Sequence, residues 1–164
     1  MENAIFFVCL LLGFASALVA GVFQSFSDFV MAGLGRARPA GGIESMQHIN
    51  RTVFRSVFLT SFLLLVPATM LFGGYTLFTT DSPDRGYIAA ATGIYLVTVF
   101  GVTMFGNVPM TKHLDQLDFD SEEAANYWRV YCRDWTRWNH VRTFGAAATA
   151  AVFLLAAASI HGIG

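Results

Sequence analysis

Four stretches of this chain are apolar for nearly the full thickness of a bilayer: Ile5–Phe23, Val53–Phe72, Tyr87–Phe105 and Val141–Ile160. Each approaches the ~20 residues a helix needs to cross hydrocarbon. No Asp, Glu, Lys, Arg or His stands at the centre of any of them; Arg55 and Arg142 lie at ends, where long side chains snorkel. Hydrocarbon offers backbone amides no partner, so each run must close its own hydrogen bonds as a helix. The chain reads as an all-α, integral membrane four-helix bundle forming a single domain over residues 1–164. Pro67 removes one helical hydrogen bond and predicts a kink in the second run.

Composition agrees. Hydrophobic residues make up 55% and charged residues 13%, with a mean hydropathy of +0.54. Soluble domains carry about a quarter charged residues. Disorder, collagen, coiled coil and nucleic-acid binding are excluded as classes. Two cysteines, Cys9 and Cys132, form no disulfide or zinc framework, and Cys132 reads as a reduced free thiol. The start Met1-Glu2-Asn3 lacks a basic n-region and a myristoylation glycine, so the first run is expected to be retained as a helix.

Basic residues orient the chain. Arg36, Arg38, Arg51 and Arg55 lie between the first two runs, and Lys112, Arg129, Arg133, Arg137 and Arg142 between the last two. Only Arg85 lies on the other side. The positive-inside bias predicts a cytoplasmic (inner) membrane protein with both long connections in the cytoplasm and both termini outside. The Thr79–Gly86 turn would also be external, and His161 would be a solvated residue at the external end. In the first long connection, a flexible Gly33–Gly42 stretch is expected before a short helix, Ile43–Val53. In the second, Pro109 discourages helix around Val108. Asp120 or Ser121 then caps a helix that runs through Tyr127, Tyr131, Trp135 and Trp138 into the fourth run.

Small residues at four-residue spacing suggest inward faces: Gly13, Ala17 and Gly21 in the first run, and Ala89, Gly93, Val97 and Gly101 in the third. Extending the first of these places Gln24 and Asp28 toward the bundle, where Asp28 would need a partner. In the fourth run, Gly145, Ala146, Thr149, Ala156 and Ala157 share the side of Arg142, whereas His140 shares the side of Phe144, Leu154 and Leu155. Arg142 is therefore the expected inward group, with His140 as the second candidate.

Gln24, Asp28, Asn50, Asn107, Asn139, His140 and Arg142 all fall at the same end of the bundle. With Phe and Trp around them, they suit a pocket for a flat apolar ligand. The plainer alternative is that Asp28 and Arg142 tie helices together while the Asn residues cap ends. Trp128, Trp135 and Trp138 could line such a pocket or anchor the interface. His48, His113 and His140 come from separate segments without metal-ligand spacing. No P-loop, dinucleotide fingerprint or nucleophile elbow occurs. Without ionisable residues at mid-membrane, a proton pump or charged-solute carrier is disfavoured.

Four stretches, VAGVFQSFSDFVM (Val19–Met31), MQHINRTV (Met46–Val53), FGVTMFGNVP (Phe100–Pro109) and WTRWNHVRT (Trp135–Thr143), together resemble the anthrone oxygenase-like family of small membrane proteins. Most bacterial members of that family carry only a domain-of-unknown-function label. Asp28, Asn50, Asn107, Trp138, Asn139, His140 and Arg142 occupy its motif positions; His48 and His113 do not belong to the pattern, and Thr111 stands where an Asn is expected. The resemblance implies conversion of an activated methylene to a quinone carbonyl with O₂. On that reading His140 or Asp28 is the base, and Arg142, Asn107 and Asn139 stabilise the oxyanion. Trp135 and Trp138, with Asn50 and Gln24, would hold a planar phenolic, anthrone-like or quinol-like lipophile. No cofactor is required beyond O₂ as co-substrate, with haem or metal left open. The competing readings are a non-catalytic module that binds a lipid or quinone or serves as an accessory subunit, and a haem- or metal-dependent redox protein. The expected partners are a lipophilic small molecule and membrane lipid, with no nucleic acid; exposed small-residue faces permit a homodimer.

Overall fold

In the computed structural model, which describes residues 2–79, 81, 84–160 and 162, the ordered elements are all helical. Four helices are long and apolar enough to cross a membrane: α1 (Glu2–Arg36), α3 (Val57–Thr79), α4 (Asp84–Gln116) and α5 (Glu122–Ile160). Between the first two lies α2 (Pro39–Thr52). The protein is a multi-pass membrane protein. Around the bundle, α1 packs along α5, α5 along α4, α4 along α3 and α3 along α1, closing an up-and-down ring.

The 39 residues of α5 extend roughly 58 Å at 1.5 Å per residue, about twice the hydrocarbon thickness. Its first half therefore projects beyond the spans, together with the last turns of α1 and α4. There α2 wedges in and builds a second core from Met31, Ile43, Met46, Leu114, Trp128, Tyr131 and Trp135. The main core, around Phe23, Phe62, Tyr95, Val99 and Phe153, lies between the spans. Gln47 pins α2, its Nε2 donating to the carbonyls of Leu114 (2.8 Å) and Leu117 (2.9 Å) at the end of α4. Arg51 adds a surface ion pair to Asp115 at 2.8 Å.

Several boundaries differ from expectation. The second span begins at Val57, after a 3₁₀ turn at Val53–Arg55, because Ser56 turns extended and caps α3 by accepting from the Leu59 amide at 3.1 Å. It runs to Thr79 as one helix, with Pro67 inside it. The Gly33–Gly42 stretch is helical except at Ala37–Arg38: buried Met31 anchors the end of α1, and Pro39, with its preset φ, starts α2. Pro109 does not stop α4, since it falls in the first turn after a π-helical segment, where a missing N–H costs little. Ser121 does cap α5, its Oγ accepting from the Ala124 amide at 3.1 Å. Thr80, Ser82 and Pro83 of the external turn, and His161, lie outside the described residues.

The inward faces of α1 and α4 also differ. α1 buries Cys9, Leu12, Gly13, Ser16, Val19, Ala20 and Phe23, while Ala17 and Gly21 are exposed. α4 buries Ile88, Ala91, Tyr95 and Val99, with Gly93 and Val97 outward. The reason lies in α5, whose Gly145, Ala146, Thr149, Ala150, Ala156 and Ala157 are buried as expected. Small residues there leave room for large ones on the facing helices, so close approach needs small residues on one partner only. A Cβ on Gly145 would sit 2.0 Å from Thr98 Oγ1.

Candidate functional site

Between the two cores lies a cavity of about 540 Å³, within the range of small-molecule sites. Phe23, Phe26, Phe58, Phe62, Met46 and Trp135 form its apolar wall, contributed by α1, α2, α3 and α5. Asn50, Thr103, Asn107, Asn139 and Arg142 supply the buried or half-buried polar groups, and His48 lines it from the exposed side of α2.

Arg142 is the centre of this arrangement. Only 6% exposed, its guanidinium lies 4.4 Å from the Phe23 ring centroid and 5.2 Å from that of Trp135. Nη2 donates to Asn139 Oδ1 at 2.5 Å, and Nη1 makes a long contact to Thr103 Oγ1 at 3.4 Å. The ion pairs among the described residues lie elsewhere, so this cation has no carboxylate partner, and its Nε has no hydrogen-bond partner. Burying an ion costs several kcal/mol. Two ring faces return about 1–2 kcal/mol each when desolvated. The site is short of negative charge.

Two of the amides around it, Asn139 and Asn107, are held in fixed orientations. Asn139 Nδ2 donates to the Phe23 carbonyl (2.6 Å) and to Ser27 Oγ (2.7 Å), joining α5 to α1. Asn107 Nδ2 donates to the Trp135 carbonyl at 3.1 Å, leaving its Oδ1 without a partner. Asn50 Nδ2 is likewise unpartnered. Thr111 accepts from Trp135 Nε1 at 3.3 Å and pairs with the Tyr131 hydroxyl at 3.4 Å. Each unsatisfied buried group costs about 1–3 kcal/mol, which a ligand or water in the cavity would recover.

Of the residues singled out from sequence, Asn50, Asn107, Trp135, Asn139 and Arg142 converge on the cavity. Gln24, Asp28 and His140 do not: all three are exposed and none lines it. Gln24 and Asp28 continue the outward Ala17–Gly21 stripe. The π-helical segment Phe26–Val30 then brings Ser27, not Asp28, against α5. His140 lies on the side of α5 opposite Arg142. Trp138 is 45% exposed, packs over Gly106 and borders a separate surface groove with Met110, Asp134, Arg137 and Val141. Sequence reasoning missed Thr103, Thr111 and His48, which line the cavity, and Ser27, which holds Asn139. Thr103 lies four residues before Asn107 and His48 two before Asn50, so both were within reach of the same motifs. Among the described residues, no three His, Cys, Asp or Glu side chains gather as a metal cluster.

The sequence model described as anthrone oxygenase matches residues 44–157, more than half of the chain. The chain belongs to the anthrone oxygenase family. The match takes in every polar cavity residue named above. What this anthrone oxygenase family member contributes from outside it is α1, whose Phe23 stacks on Arg142 and whose Ser27 holds Asn139. No curated protein and no solved structure matches the chain.

Proposed function

We propose that the protein is a membrane oxygenase acting on a planar phenolic, anthrone-like or quinol-like lipophile. One observation carries this reading: a buried guanidinium without a carboxylate partner stands in the wall of an otherwise greasy cavity. Such a site favours a flat apolar molecule that carries, or develops, one negative oxygen. An anthrone does so on losing a proton from its activated methylene, the pair of electrons spreading onto the carbonyl oxygen. Arg142, aimed by Asn139, and the unpartnered Asn50 Nδ2 would stabilise that enolate through donors already in place. The enolate carbon then takes up O₂, the resulting hydroperoxide loses water, and a carbonyl remains. Overall CH₂ and O₂ become C=O and H₂O, with no electron donor needed beyond the substrate. Phe26, Phe62 and Trp135 would stack on the rings and keep bulk water out.

The test is direct. Full-length protein in detergent, given emodin anthrone under air, should produce the anthraquinone faster than buffer or heat-inactivated protein. Equal rates across a panel of anthrones and quinols would overturn the oxygenase reading. The placement of Asp28 and His140 outside the cavity favours a second reading, a lipid- or quinone-binding module. Tight emodin binding without turnover would select it.

The long connections, and with them the mouth of the cavity, are proposed to face the cytoplasm, which would present the site to the inner leaflet. A membrane-impermeant maleimide applied to intact cells should label Arg85→Cys and spare Lys112→Cys; the reverse pattern would invert the topology.

A further inference from the structure

The oxygenase reading needs a proton acceptor, and the two candidates drawn from sequence, Asp28 and His140, do not line the cavity. Only two residues among those lining it carry side chains that ionise: Arg142 and His48. Guanidinium holds its proton and cannot serve as a base. The remaining polar lining groups are amides and hydroxyls. We infer that His48 is the catalytic base of this site, taking the proton from the substrate's activated carbon. The inference rests on the oxygenase reading.

The fold holds His48 where such a group must be. Its neighbours Met46, Gln47 and Asn50 are buried, and Gln47 is fastened to two carbonyls of α4. The backbone carrying His48 is thereby clamped on both sides. The imidazole itself lines the cavity from the exposed side of α2, close to Thr52 and Phe54, which are also exposed. A base at the mouth stands where the water formed in each cycle can leave to solvent. Arg142 comes from a different helix, so base and oxyanion stabiliser reach the substrate from separate elements.

The proton account closes. Neutral imidazole takes one methylene proton and leaves the electron pair on the substrate as the enolate. After O₂ adds at carbon, the imidazolium returns that proton to the peroxide. The same imidazole then takes the second proton from that carbon as the O–O bond breaks, and hydroxide leaves. Hydroxide and the imidazolium proton make water, and the base is regenerated.

Full-length protein in detergent, emodin anthrone and air test this directly. His48→Ala should lower enzyme-dependent turnover by about 10²–10⁴-fold, the usual range for a positioned base. Emodin should bind this variant within about twofold of wild type, which verifies the fold. Added imidazole should restore turnover in His48→Ala in a saturating manner, and should do nothing for Arg142→Met. His48→Gln, which keeps polarity without basicity, should be as slow as His48→Ala. Wild-type turnover in His48→Ala or His48→Gln, or loss that imidazole does not restore, would overturn the role of His48 and leave the oxygenase reading standing. Absence of turnover by the wild type would overturn both.

Discussion

Asn139 and Arg142 stand one helical turn apart on α5, and the amide oxygen of the first accepts from the guanidinium of the second at 2.5 Å. The same amide donates to the Phe23 carbonyl and to Ser27 on α1. A neutral dipole thus aims the cation and ties it to the first span while leaving its charge uncancelled. Had evolution placed Asp there, the guanidinium would be neutralised from within.

Replacing Arg142 by Met should separate stability from function. An apolar side chain of similar length removes a buried charge that lacks a counterion but also the donor to Asn139 Oδ1, and with the two effects opposed thermal unfolding in detergent should be little changed. Binding of ionised emodin should be lost, and oxygenation should fall by about 10²–10³-fold. The check is a melting curve with and without emodin: a stable apo-protein that the ligand no longer stabilises.

Asn139→Asp should show the opposite balance. The new carboxylate would pair with Arg142 and compete with any anionic ligand. Emodin affinity, measured by the absorbance of its anion, should drop at least about tenfold, or ~1.4 kcal/mol. The Phe23 carbonyl would also lose its donor.

Two glycines test the packing. Gly145→Ala drives a Cβ to 2.0 Å from Thr98 Oγ1 at the α4–α5 contact and should cost about 1–3 kcal/mol. Gly93→Ala, on the outward stripe of the same α4, meets nothing within 4 Å and should be neutral or stabilising by up to about 1 kcal/mol. Melting temperatures of the pair decide whether that stripe packs inside.

Gln47→Leu should loosen the connection end of the bundle. It removes the side-chain donor from both carbonyls; Leu114 keeps the Leu117 amide as a partner, whereas the Leu117 carbonyl is left without the Gln47 donor, at about 1–3 kcal/mol. Hydrogen exchange should rise in the turn at 117–121, with the span cores unaffected.

The spans were legible because hydrocarbon imposes one rule on every residue in them. Arg142 was legible because Gly145, Ala146 and Thr149 on its side announce a close neighbour. The inward face of α1 was not, since Gly13, Ala17 and Gly21 look equally small-faced; only knowing that α5 already supplies the small side of the contact reverses the choice. That single error carried Gln24 and Asp28 inward on paper. His48 is not legible, because a histidine shows itself in sequence chiefly as a metal ligand, which needs partners at set spacings. A base needs none, and its only signature is a place on a cavity wall that no linear pattern displays. Ser27 escaped for a related reason: a π-helical turn shifts it, and apolar periodicity carries no mark of such turns.

The wide turns in α4, Tyr95–Gly101 and Thr103–Asn107, lead up to Asn107, which closes the second of them. Each accommodates a residue more than an ordinary helix would. Deleting one residue there would let the helix tighten to ordinary α turns while everything downstream keeps its face, because the wide turn is where the extra residue is absorbed. A deletion in the regular turns nearby would instead swing everything downstream by about 100°, and Asn107 would turn away from Trp135 while the span above stayed seated. Length bookkeeping within α4, rather than the identity of any one side chain, therefore determines whether the chamber keeps its amide, and alignments of related chains should be drawn with a one-residue gap permitted at the wide turns.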